Sequence, residues 1–346
     1  MSSTLAFERD GELWSAAPDG SETRALTASG DATMPRWSPD GRQLLFVRGQ
    51  GMAAELYLTT PGGTPRRLTS NTRPETGARW SPRDGRVAYT LPRSLGVGGS
   101  LDPSASEEVW IVDPTRGEAR KLVDGFDPAW SPDGGRLTYA TNGRRRTAAP
   151  SGAFLNAIHL VPESGRGDRP VITLGQIPWD LEPSFQLPFR PETYRLRAPA
   201  WSPDGRSLVA SADGHTAMAV TFDDAGGNLR VWAPAYQGAI GRAAWSPRGD
   251  RLAIDARLVT GLEVVTIVDL PTGRETRLGG AEQGFQASGP SWAPDGRRLA
   301  LVSRALPDPR EPEPPRELRV YGADGVPLGV AARGAIGSVD WNPARH

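Results

Sequence analysis

The chain has 346 residues with 40 basic and 40 acidic side chains, and this zero net charge excludes nucleic-acid or anionic-membrane recognition driven by overall charge. Cysteine is absent, which removes disulfides, thiolate nucleophiles and Cys-ligated metals, and His159, His215 and His346 are not at metal-ligand spacing. No apolar run approaches the ~20 residues of a membrane-spanning helix, and 41 glycines with 33 prolines point to a turn-dense β protein rather than a disordered one.

In chain order, Leu5–Glu8, Glu12–Ser15 and Thr23–Leu26 read as three strands with no first. With strand-like sequence from Thr4, no leader is read: a full-length chain would be cytoplasmic, and one trimmed of a leader would be exported. Next comes Trp37-Ser38-Pro39-Asp40-Gly41, followed by the apolar run Leu44–Val47. Proline pre-sets φ for the first central turn position, aspartate suits the second, and glycine takes a left-handed exit, so the pentapeptide predicts a hairpin. The motif recurs at Trp130–Gly134 and Trp201–Gly205, and as W-A-P-D-G at Trp292–Gly296. Edited copies start at Trp80 and Trp245, and a last one begins at Trp341-Asn342-Pro343. These tryptophans are 43 to 50 residues apart, except for one interval of 71 from Trp130 to Trp201. Short strands repeating at that period predict a β-propeller with one four-stranded antiparallel sheet per blade. Six internal motifs plus a blade that pairs Ala335–Trp341 with the N-terminal strands give seven blades over a single domain, residues 1–346. Seven Pro/Asp/Gly turns, from Pro18-Asp19-Gly20 to Gly322-Ala323-Asp324-Gly325, agree with that count. Six blades is the alternative, and it would orphan the N-terminal strands.

W-S-P-D-G followed by an apolar strand resembles the TolB-type propeller repeat, which is also found in the propeller domains of prolyl-oligopeptidase-like peptidases. The resemblance covers essentially the whole chain and implies the fold. It implies little about function, because the repeat is structural. TolB proteins have six blades and a separate N-terminal domain, and they bind a lipoprotein in the periplasm. This chain has no room for that domain, so that partner is not carried over.

With strands lettered A to D from the axis outward, A–B and C–D turns share one face of the disc, and B–C and D–A loops share the other. The long segments, about 91–107, 142–155, 303–316 and 175–195, all belong to the second face, the expected binding surface. The 175–195 loop carries Trp179, Phe185, Phe189 and Tyr194, which read either as anchors for a protein or glycan or as packing of the loop on its own blade. Arg144–Arg146 and the proline-rich 303–316 loop read as solvated or extended surface.

Channel residues come from strand A, where alternation groups the places one, three and five before each motif tryptophan on one face, and the sequence does not fix which of the two faces meets the channel. This set includes Arg36, Arg79 and Asp340 one place before, and Asp127 and Arg242 three places before. Such a ring either binds a carboxylate or neutralises itself. There is no G-x-S-x-G elbow and no sequence after Trp341 long enough for a hydrolase domain, and the acidic residues are too scattered to nominate a metal. The expectation is therefore a monomeric, non-catalytic scaffold with no metal or cofactor that binds protein or glycan. The alternatives are a docking or gating propeller separated from a larger hydrolase, and a channel-metal lactonase or lyase.

Overall fold

The computed structural model describes residues 4–71, 73–92, 107–143, 155–177, 195–214, 216–236, 238–308, 310 and 312–343. They form seven four-stranded antiparallel sheets, as the repeat count predicts, not six. Blade 1 is the composite: strand A is Ile336–Trp341, and strands B to D are Leu5–Arg9, Glu12–Ala16 and Arg24–Ala25. Leu5 pairs with Trp341 and Phe7 with Val339, and the Asn342 amide adds a bond to the Thr4 carbonyl at 2.9 Å. The A strands of blades 2 to 7 are Ala32–Trp37, Thr76–Trp80, Phe126–Trp130, Arg195–Trp201, Ala239–Trp245 and Phe285–Trp292.

The pentapeptides close the A–B turns through their own side chains. Ser38, Ser131 and Ser202 donate to Asp40, Asp133 and Asp204 at 2.6, 2.5 and 2.6 Å. Gly41, Gly134 and Gly205 take φ of 68°, 67° and 69°, the left-handed region open to glycine at no cost.

Seven apolar clusters hold the disc together, each lying between two neighbouring blades. In blade 1, Leu5 and Phe7 pack toward blade 7, while Ala6 packs toward blade 2. A sheet buried on both faces needs apolar residues at consecutive positions, which explains runs such as Leu44–Phe46, all fully buried.

The motif tryptophans link one blade to the next. The indole N–H of Trp80, Trp130, Trp245 and Trp292 donates to the carbonyl of Arg36, Arg79, Ala200 and Ala244 of the preceding blade, at 3.1–3.2 Å. Arg86, Arg136 and Arg298 lie over Trp130, Trp201 and Trp341 of the next blade at 5.7, 5.0 and 5.2 Å, within cation–π range. The indole nitrogens of Trp37, Trp201 and Trp341 are buried without an acceptor among the described residues.

Two stability tests follow from this packing. A chain ending at residue 335 exposes the edge of Leu5–Arg9 and should lose cooperative melting or solubility; melting like the full chain would refute closure by the composite blade. Trp130→Phe strands the Arg79 carbonyl, whereas Trp201→Phe removes an unpaired donor, so the first should cost about 1 kcal/mol more than the second in urea unfolding.

Candidate functional site: the central channel

Every A strand carries a register break against strand B, within two to four residues before its tryptophan. In five blades the residue three before the tryptophan has positive φ: Met34 55°, Gly77 63°, Asp127 52°, Ala198 50° and Gly289 62°. These are β-bulges, and each inserts one residue and resets the alternation of faces. Residues one and three places before the tryptophan, among them Arg79, Ala129, Asp127, Ala198 and Arg242, line the bore, but those five places before do not. Ala32, Leu196, Ile240, Ala287 and Ile336 sit at that position and are buried between blades. Alternation alone carried the expectation past the bulge, where it fails.

Carboxyl and hydroxyl groups use the amides that the bulges free. Asp127 accepts from the Ala198 N–H at 3.1 Å, Asp255 from the Gly289 N–H at 3.1 Å, and Thr90 from the Asp127 N–H at 3.0 Å. One level lower, Asp340 accepts from the Trp37 N–H at 2.8 Å, and Ser291 from the Trp341 N–H at 3.1 Å. Blade-to-blade polar contacts thus line the bore.

The structure brings Arg36, Arg79, Arg242 and Asp340 to this channel. Arg36 lies 3.6 Å from Asp340, and Arg242 crosses from blade 6 to lie 3.6 Å from Asp127 on blade 4. Among the described residues Arg79 donates only to the neighbouring Ala78 carbonyl, at 2.8 Å. Together with Asp127, Arg79 and Arg242 line a cavity of about 330 Å³. Its remaining walls include Trp80, Trp130 and Trp201 with Pro82 and Pro132. The two prolines belong to A–B turns, so the cavity reaches the tight-turn face. Sequence reasoning missed them as lining because it treated the pentapeptide as a turn and nothing more. Trp179, Phe185, Phe189 and Tyr194 lie outside the described residues, as do Arg144–Arg146.

The surrounding protein shapes the ionisation of these groups. Burial raises Asp340 to about 6, opposed by Arg36 and the Trp37 amide. Burial likewise lifts Asp255 to about 6, and it raises Glu107, next to Asp127, to about 7. Arg242 is lowered to about 10, first by burial within the ring and then by the Arg36 charge. Among the described residues, no group of three or more His, Asp or Glu side chains is placed to hold a metal ion.

A group with a raised folded pKa binds its proton more tightly in the native state, so its stabilising contribution is complete below its unfolded pKa and is lost as pH rises to the folded one. For Asp340 that window runs from 3.8 to about 6. Asp340→Asn, which keeps an acceptor for Trp37, should flatten the loss of stability across this window by on the order of 2 kcal/mol. Unfolding curves of both proteins from pH 4 to 7 check this, and parallel pH profiles would contradict it.

No protein-family model matches the chain. A segment is 34% identical over 145 residues to the uncharacterized peptidase YuxL of Bacillus subtilis strain 168, spanning 32% of this chain and 22% of that protein. Among solved structures, puromycin hydrolase aligns with a TM-score of 0.63 at 18% identity, over 95% of this chain and 52% of that one. A prolyl endopeptidase aligns at 0.58 and 16%, over 89% and 43%. TolB from Acinetobacter baumannii aligns at 0.53 and 14%, over 98% and 81%. An oligogalacturonate lyase in complex with manganese aligns at 0.57 and 14%, over 95% and 84%. The match thus spans about a fifth of the peptidase YuxL and about half of the two solved hydrolases. What these likenesses show is the fold, a seven-bladed propeller whose structural neighbours include TolB propellers and the propellers of prolyl-oligopeptidase-type enzymes.

Proposed function

We propose that this chain is a non-catalytic propeller that docks another protein, or a glycan, through the face carrying its long connections. The reading rests on where the chain departs from its minimal repeat. The segments between Pro92 and Glu107, Gly143 and Leu155, Ile177 and Arg195, and Ala305 and Arg316 all join strand ends of the B–C and D–A face. Connections on the opposite face are short turns. A rigid scaffold holding several long loops on one side is a common way to build a recognition surface. Trp179 and Phe189, within the longest of these connections, are the proposed anchors, with Phe185 and Tyr194 beside them. Zero net charge favours a protein or glycan partner over nucleic acid.

A second reading, that the disc docks or gates substrate for a hydrolase domain, is favoured by the 34% identity with a peptidase and by the likeness to two hydrolase propellers. The two readings differ in what is bound: a separate macromolecule or a substrate of the partnered enzyme.

The test measures binding by the wild-type chain and by Trp179→Ala and Phe189→Ala variants toward any retained protein or glycan. Loss of a true anchor should weaken binding by about 2 kcal/mol, roughly thirtyfold, with the melting temperature unchanged. Variants that unfold instead would make these aromatics loop packing and remove the proposed surface. Turnover of an ester, lactone or peptide that survives repurification and is abolished by Asp127→Ala would overturn the non-catalytic reading.

A further inference from the structure

We propose that the channel cavity is a carboxylate-binding site, in which Arg79 and Arg242 hold one carboxylate carried on a short peptidic or apolar chain entering from the tight-turn face. This face is opposite the proposed docking surface, and the site stands without that reading.

Hydrogen-bond satisfaction is the first argument. A guanidinium presents five N–H donors, and buried or enclosed ones ordinarily find acceptors. Arg242 makes no hydrogen bond among the described residues; its contact with Asp127 is an ion pair at 3.6 Å, beyond direct hydrogen-bond length. Arg79 has the one bond to its neighbour's carbonyl and no ion pair among the described residues. The channel carboxylates that would serve these arginines are turned to backbone amides, Asp127 to Ala198 and Asp340 to Trp37. The bulges that supply or adjoin those amides therefore leave the guanidinium donors facing the bore. Arg242 keeps 44% of its side-chain surface open there, so a ligand can reach it.

Charge is the second argument. Among the described residues the charged groups lining the cavity are Arg79, Arg242 and Asp127, two positive against one negative, while Arg36 pairs with Asp340 and Asp255 bonds to the Gly289 amide outside that lining. One carboxylate balances this set, whereas a phosphate dianion overshoots it. Two guanidinium groups also match a planar carboxylate, through paired N–H···O bonds. The depressed Arg242 ionisation agrees, since an added anion would offset both its burial and the nearby Arg36 charge.

Shape is the third. Trp80, Trp130 and Trp201 with Pro82 and Pro132 form apolar walls between the arginines and the tight-turn face. At about 330 Å³ the cavity is near the lower limit of ligand pockets, fitting roughly one or two amino-acid residues rather than a folded partner. The carboxylate can be a chain end or an acidic side chain; the chemistry at the arginines is the same.

Calorimetric titration of the full chain separates these sources. The probes are the tripeptide Ala-Ala-Ala with a free carboxylate, its C-terminal amide, acetyl-Ala-Glu-Ala-amide and inorganic phosphate. Binding of the free tripeptide but not its amide supports the site and assigns a chain end. Binding of the blocked glutamate peptide supports it and assigns a side chain. In either case Arg242→Gln and Arg79→Gln should each weaken binding about tenfold or more. Silence from both carboxylate probes at millimolar concentration, an amide that binds as well as the acid, tighter binding of phosphate, or variants that bind unchanged would each overturn the proposal. Should Arg242→Gln fail to fold, Arg79→Gln decides alone, because among the described residues the Arg79 side chain bonds only to a carbonyl next to it.

Discussion

Everything in this molecule depends on each blade burying both of its faces against its neighbours. No single sheet has a core of its own; the seven clusters are shared, one per interface. Stability is then close to a sum of neighbour terms, as in other repeat architectures, with the difference that the array closes on itself. Closure gives the first and last repeats the same partners as the rest, so no capping unit is needed. Edges survive only at the rim, where two of the outer strands shrink to Arg24–Ala25 and Arg66–Arg67. Short, charged edges of this kind resist pairing with another chain.

The same packing forces the innermost strands to converge on the axis, and the bulges are how they manage it. A bulge increases local twist and frees backbone donors. Those donors would be costly if left without acceptors inside the ring, so neighbouring side chains meet them: Thr90 for Asp127, Asp127 for Ala198 and Asp255 for Gly289. The polarity of the bore is thus partly a result of how the ring is built. Its arginines are the residue of that accounting, because the acceptors nearest to them already serve the backbone.

Most of the architecture is legible in the sequence. The turn chemistry of Trp37–Gly41 and its copies is local, its period is visible without any structure, and Ala335–Trp341 could be matched to the strandless N-terminus by pattern. Strand A was harder to read. Whether Ala32 or Leu196 faces the axis depends on a positive φ two residues later, at Met34 and Ala198, and neither methionine nor alanine advertises such a conformation. Gly77 and Gly289 carry the residue type best suited to it, and Asp127 one that tolerates it. The ion pairs of Arg36 and Arg242 could not be read either, since their partners come from other blades, 304 and 115 positions away in the numbering. The cavity walls were in plain view as turn residues, but a turn motif does not disclose that its prolines line a bore.

The composite blade also fixes how the disc responds to tension. Leu5 lies directly opposite Trp341, and the two strands run antiparallel from there to the Arg9–Ile336 pair. A force separating these two ends acts across the ladder rather than along it. The hydrogen bonds are then loaded one after another, beginning at Leu5–Trp341, instead of all together. Such a seam opens like a zip under weak pulling, while the same pairing sheared lengthwise would have to fail as a block. Tethered through residues beside Leu5 and Trp341, the ring would yield first at blade 1, with the other six sheets still stacked.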